Sequence, residues 1–216
     1  TKYHSLTTTA PYGRDSHSAG NRALRNVCLT YLMKLESDNV VALATRQFST
    51  ADNMTDVLAA LSALASSHAP RREKILGYFF QKWQSYPLVV DKWLRVHATS
   101  TRHDTLEKVR ELTGHVAYES DNPNKIYALI GGFGFSNSLN FHQIDGAGYH
   151  FLADQVLRLD RSNPQLAARL VGAFSHWRRY EPIRQQLMRE QLQRVLSAPQ
   201  VSRDVTEIGT RTLATS

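Results

Sequence analysis

Apolar residues recur along this chain at steps of three and four. Between Ser16 and Leu35, the positions Leu24, Val27 or Cys28, Tyr31 and Leu35 fall on one side of a helix, the spacing of a buried helix face. A second helical run, Val40 to Phe48, follows Ser37-Asp38, residue types that cap helix N-termini. Met54 to Ala65 reads as a dense Ala/Leu helix that starts after Asn53, with small residues that let a neighbour approach closely. Prolines then punctuate the chain. Pro70, Pro87, Pro123, Pro164 and Pro182 each stand just before a helical pattern, where a missing N–H leaves no intrahelical bond unmade. Asn122-Pro123 and Asn163-Pro164 add a capping side chain to that proline. Asp145 before Gly146 to Leu159, and Ser202 before Val205 to Leu213, read as further caps.

These patterns predict an all-α chain of about eleven helices. No strand pattern competes, because the β-branched and aromatic residues sit inside helical registers. Short loops force successive helices to lie antiparallel. Many hairpins of roughly 35 to 40 residues favour a stacked, curved ARM/HEAT-like α-superhelix over a compact bundle. The expectation is one helical domain spanning residues 1–216. Glycines are densest between Gly131 and Gly148, where they weaken the helix and permit a bend or a close backbone approach.

Composition narrows the function classes. The chain has 216 residues and is 42% hydrophobic, which fits a folded protein. Lys and Arg number 26 against 19 Asp and Glu, for a formal charge of +7. The positive residues are scattered, and the longest clusters are Arg71-Arg72 and Arg178-Arg179. A nucleic-acid surface calls for a denser basic stripe with interleaved aromatics, so no nucleic-acid partner is expected. The lone Cys28 allows no intrachain disulfide, which fits a reducing, cytoplasmic setting, and its apolar neighbours suggest a core thiol. No apolar run approaches the roughly 20 residues needed to cross a bilayer, and no signal pattern opens the chain. A start at Thr1 suggests excision from a longer chain.

The chemistry-bearing residues do not assemble into a familiar motif. No His-Glu-x-x-His is present, and no two histidines stand four apart. His142, Asp145 and His150 are the nearest approach to a ligand set, and would serve an independent hydrolase. Gly-x-Ser-x-Gly and a phosphate loop are also absent. Asp52 and Asp56 sit at a helix start, where capping and dipole compensation account for them. Trp83, Trp93 and Trp177 lie on helical patterns with apolar neighbours and read as core.

Several strings carry a resemblance. In order they are Gly20-Asn21-Arg22-Ala23-Leu24-Arg25-Asn26, Gln47-Phe48, Ala51-Asp52-Asn53-Met54-Thr55-Asp56 and Asp91-Lys92-Trp93. Asn122-Pro123-Asn124-Lys125-Ile126, Phe141-His142 with Asp145-Gly146-Ala147-Gly148-Tyr149, Asn163-Pro164-Gln165 with Ala168-Arg169-Leu170, and Arg179-Tyr180 follow. Their order and spacing resemble the C-terminal helical domain of bacterial aminopeptidase N, a zinc metallopeptidase, over nearly the whole chain. The resemblance implies a domain that carries no metal and no catalytic residue. Zinc would belong to an upstream catalytic domain, which this domain caps to enclose a peptide-sized cavity. The partners implied are that catalytic domain and peptide substrates.

By the same resemblance, Gln165 and Arg169 match positions that face the catalytic cavity. They are four apart, hence on one helix face, and are expected in the first turns, where the helix dipole favours an anion. Arg suits a peptide carboxylate because its planar fork donates two parallel hydrogen bonds. Tyr127 stands where some relatives carry a second cavity arginine, which would alter peptide preference. The alternative to the accessory domain is a standalone basic helical-repeat module for RNA or protein.

Overall fold

An alanine-rich helix, α4 (Met54–Ala65), lies at the centre of the first half of the chain, with Ala60, Leu61, Ala63, Leu64 and Ala65 all buried. The computed structural model describes residues 1–8 and 12–214. Among them there is no strand, and every regular element is helical. The chain divides into two compact units, Thr1–Arg102 and His103–Ser216.

The first unit holds α1 (Lys2–Ser5), α2 (Ser16–Leu32), α3 (Asp38–Thr50), α4, α5 (Arg72–Trp83) and α6 (Pro87–Ala98). α2, α3, α5 and α6 all pack on α4, whose small side chains admit them. The short Ala51–Asn53 link turns α3 back on α4 as a hairpin. Asn53 starts α4 by accepting from the Asp56 N–H at 3.0 Å. The carbonyl of Ala65, at the other end of α4, accepts from Arg72 Nε at 2.7 Å and from Ser100 Oγ at 3.0 Å. Both bonds satisfy a helix-end carbonyl that would otherwise lack a partner.

The second unit holds α7 (Thr105–Leu112), α8 (Pro123–Ile126), α9 (Gly132–Ser136), α10 (Ser138–Phe141), α11 (Ala147–Asp160), α12 (Pro164–Val171), α13 (Pro182–Leu196) and α14 (Arg203–Ala214). A π-helical turn, Tyr127–Gly131, joins α8 to α9. α11 packs on α12 and α13, and α14 packs on α12 and α13. Tyr149, Phe133, Phe141 and Phe174 fill the core between them. Trp177 donates its indole N–H to the Thr212 carbonyl at 3.0 Å, and Arg178 donates to the Leu213 carbonyl at 2.7 Å, so the last turn of α14 is held from outside.

The prolines behave as expected at four positions: Pro87, Pro123, Pro164 and Pro182 each open a helix. Pro70 does not, because it stands in the turn before Arg71, which caps α5. Asp145 acts one residue earlier than a standard cap. Its Oδ1 accepts from the Ala147 N–H at 3.0 Å, while Gly146 takes the left-handed conformation at φ +69°.

The periodicity misplaced the buried side of α2 and of the 3-10 turn that follows it, Met33–Leu35. Leu24, Val27, Tyr31 and Leu35 are exposed, and the residues turned into the core are Leu29 and Met33. Cys28 is only partly buried, so it is not the core thiol its neighbours suggested. Period alone identifies an apolar side; it does not say which body covers it. Of the three tryptophans, Trp93 and Trp177 are core and Trp83 is partly exposed.

Candidate functional site

The segment bearing Gln165 and Arg169 is set between two larger helices. Asp160, near the end of α11, accepts from the Ser202 N–H at 2.8 Å and from Ser202 Oγ at 2.5 Å, fastening α11 to the start of α14. Asn163 then accepts from the Leu166 N–H at 3.0 Å and Pro164 opens α12. Leu166, Ala167, Ala168, Leu170 and Val171 turn inward, which leaves Gln165 and Arg169 exposed on the opposite side. The two share that side because they are four residues apart. Among the described residues neither side chain has a hydrogen bond or an ion pair.

The helix-dipole expectation needs correction. α12 is eight residues long, so Gln165 stands in its first turn but Arg169 stands in its last. A cation there complements the carbonyl end of its own helix, and the N-terminal dipole adds nothing to anion binding at Arg169. What remains is an unengaged guanidinium with its five donors facing outward.

Tyr127, partly buried, opens the π-helical turn. Its ring lies over Gly131: a β-carbon at Gly131 would come 3.1 Å from Tyr127 Cδ1. Such single wide turns recur at functional sites. No hydrogen bond or ring contact links Tyr127 to Gln165 or Arg169 among the described residues. From this part of the chain Phe135, an exposed aromatic, reaches the residue that ends α12. A β-carbon at Gly172, three residues past Arg169, would stand 3.9 Å from Phe135 Cε1. The sequence reading passed over Phe135, whose only signal was an aromatic between Gly134 and a polar residue.

His142, Asp145 and His150 do not converge on a ligand. His142 is sandwiched between phenols, with Nδ1 2.8 Å from Tyr149 Oη and Nε2 2.7 Å from Tyr180 Oη. Its ring stacks on Tyr180 at 4.2 Å, and its carbonyl accepts from Arg184 Nε at 2.6 Å. Burial, aided by the Arg184 charge, lowers the imidazole to a pKa of about 4, and burial raises the Tyr149 phenol. His150 instead pairs with Asp154 at 3.1 Å. Among the described residues no three His, Cys, Asp or Glu side chains gather to hold a metal ion.

The strings of the first unit meet in one buried polar node. Asp56 accepts from Arg25 at 2.5 Å, from Asn26 Nδ2 at 2.8 Å and from Asn53 Nδ2 at 2.9 Å. Gln47 donates to the Asn26 side chain at 2.8 Å and to the Asp56 carbonyl at 3.0 Å, and accepts from the Tyr3 hydroxyl at 2.7 Å. Asp56 is therefore the counter-ion of Arg25 rather than a simple helix-start charge, and Asn53 is the cap. The longest basic pairs are also turned to internal work. Arg72 is buried, bonded to Ala65 and paired with Glu73, and Arg178 is bonded to the end of α14 and lies over Trp177.

A protein-family model described as "Domain of unknown function (DUF3458_C) ARM repeats" matches residues 1–214. Aminopeptidase N of Caulobacter vibrioides is 40% identical over 202 residues, which is 94% of this chain and 23% of that protein. Aminopeptidase N of Escherichia coli is 39% identical over 203 residues, again 94% of this chain and 23% of the relative. The chain thus spans about a quarter of the length of these relatives. Among solved structures, Legionella pneumophila aminopeptidase A in complex with aspartic acid superposes with a TM-score of 0.88 at 31% identity. That match covers 98% of this chain and 26% of the other.

Proposed function

The chain belongs to the aminopeptidase N family, as the C-terminal ARM-repeat helical domain of a bacterial member, and on that premise we propose that it caps the active-site cavity of a zinc aminopeptidase. In this reading residues 1–216 act as one accessory domain of a longer polypeptide. An upstream catalytic domain of that polypeptide holds the zinc and releases N-terminal amino acids. The helical domain encloses the cavity and limits access to peptides. The donor groups of this chain do not fit a zinc ion, since no three of them converge among the described residues. No bond-breaking step is assigned to them.

Arg169 and Gln165 are the residues proposed to meet the peptide. The supporting observation is their shared exposed side of α12, with no internal partner among the described residues. A guanidinium already engaged by a carboxylate would have little left for a ligand; this one keeps its fork. It would hold the C-terminal carboxylate of a short peptide, with Gln165 one turn away donating to a backbone carbonyl. Tyr127, in place of a second arginine, would offer a ring and a hydroxyl instead of a second charge.

Kinetics of the full-length enzyme test this. Arg169→Ala should raise KM for di- and tripeptides about tenfold, the effect of losing roughly 1.4 kcal/mol of a charge-assisted contact. Aminoacyl arylamides lack the downstream carboxylate and should be cleaved as before, and Arg169→Lys should recover only part of the loss. Equal losses on both substrate types would strip Arg169 of this role.

A further inference from the structure

We propose that Phe135 is a specificity-determining residue, whose ring takes the side chain of an apolar C-terminal residue of the peptide held at Arg169. The inference rests on the assignment of Gln165 and Arg169 to the peptide and goes beyond it, because it names which short peptides the site prefers. All the residues concerned lie within the second unit.

Gln165, Arg169 and Gly172 follow one another at steps of four and three, so they form a single stripe along α12 and its C-terminal cap. A helical rise of roughly 1.5 Å per residue puts Gln165 about 6 Å before Arg169 and Gly172 about 4.5 Å beyond it. The two ends of the stripe differ in chemistry. Gln165 offers an amide. Gly172 offers no side chain, and the space beside it is bounded by an aromatic ring: a β-carbon at Gly172 would stand 3.9 Å from Phe135 Cε1. Phe135 therefore borders the end of the stripe without covering it.

The local sequence fixes the ring there. Phe133 is fully buried and meets Phe141 and Phe151 edge-on, each at 5.9 Å between ring centres. Gly134 is also buried, and a β-carbon there would stand 3.4 Å from Leu152 Cδ2 and 3.6 Å from the Ala173 β-carbon. α9 is thus seated closely on α11 and on the turn after α12, and the next residue, Phe135, is left 48% exposed. One exposed aromatic is ordinary. What distinguishes this one is an unengaged guanidinium about one turn away along the same stripe.

Together the three groups suit the end of a peptide. With its carboxylate on Arg169 and the preceding carbonyl at Gln165, the last residue directs its side chain toward the Gly172 end, where the ring lies. A leucine or phenylalanine side chain there removes its own apolar surface and that of the ring from water. Glycine leaves the ring wet. Aspartate sets a second carboxylate against the negative face of the ring, with no donor to meet it.

Steady-state kinetics of the full-length enzyme test this, on tripeptides that share their first two residues and end in Leu, Gly or Asp. The KM for the Leu-ended peptide should lie about fivefold below that for the Gly-ended one, the effect of half-covering an apolar side chain. Phe135→Ala should raise the Leu-ended KM to the Gly-ended value, leaving kcat and the Gly-ended peptide unchanged. Phe135→Leu, still apolar, should keep most of the preference. A ring that only supports the fold would alter the three peptides alike, so a Leu-to-Gly ratio unmoved by Phe135→Ala would overturn the proposal. Arg169→Ala separates this inference from the reading beneath it, since it should raise KM for all three peptides equally. If it does so while the ratio ignores Phe135→Ala, the assignment of Phe135 alone is overturned. If Arg169→Ala impairs arylamides as much as peptides, both fall.

Discussion

His142 is neutral because of where it sits. A neutral imidazole donates from one nitrogen and accepts at the other, which suits two hydroxyl partners, Tyr149 and Tyr180. Protonation makes both nitrogens donors, so the phenol that had been donating must accept instead and point its hydroxyl hydrogen elsewhere. The folded pKa of about 4 lies below the ordinary value of 6.5. Between those two values the unfolded chain binds more protons than the folded one, and stability drops as pH falls. The contribution of this group is complete above pH 6.5 and lost by about pH 4. The melting temperature should therefore decline on acidification from pH 7 to 4. The decline should be shallower in His142→Gln, whose amide offers a donor and an acceptor but does not titrate; parallel profiles would show that His142 is not the source. Its role could not be read from spacing, since Tyr180 lies 38 residues away in sequence. The Asp56 node was hidden for the same reason. Its members were visible as separate strings, at Asn26, Gln47 and Asn53, but only packing joins them.

At the scale of elements, local chemistry was the legible part. Asn-Pro starts, the Ala/Leu run of α4 and the Ser202 cap all act within a few residues, and each appears where the pattern put it. The π-helical turn left no such trace, because it depends on how Tyr127 and Gly131 share space rather than on apolar period. The glycine-rich stretch announced a close approach without saying where. It occurs at Gly148, where a β-carbon would come within 2.5 Å of the Phe141 carbonyl oxygen and 3.0 Å of its Cα. Backbone cannot rotate aside as a side chain can. Gly148→Ala should cost about 3 kcal/mol, as overpacking does, and lower the melting temperature by about 10 °C. Thermal unfolding followed by circular dichroism would check this, and a loss of under about 2 °C would mean that α10 can shift to make room.

At the scale of the whole molecule, helical class and family were legible and burial was not. An amphipathic pattern marks α2 as having an apolar side, yet the inward residue is Leu29, followed by Met33 in the turn after it. The same limit applies to Gln165 and Arg169: their common side could be counted from the sequence, but the length of α12, which moves Arg169 to its last turn, could not. Metal content is a property of the entire chain. Because its nine histidines are dispersed, the purified protein should retain well under one zinc per chain after dialysis, as measured by atomic emission, and should not cleave aminoacyl arylamides. Stoichiometric zinc that survives dialysis would contradict the reading of this chain as an accessory domain.

The tethering of α14 at Trp177 has a practical corollary. The other two indoles, Trp83 and Trp93, belong to residues 1–102, so every photon emitted by an indole of the second unit comes from the side chain that grips the Thr212 carbonyl. Replacing Trp83 and Trp93 with phenylalanine would turn the protein's own fluorescence into a gauge of whether its final helix is seated. Detachment of that last turn would register as a red shift as water reached the ring.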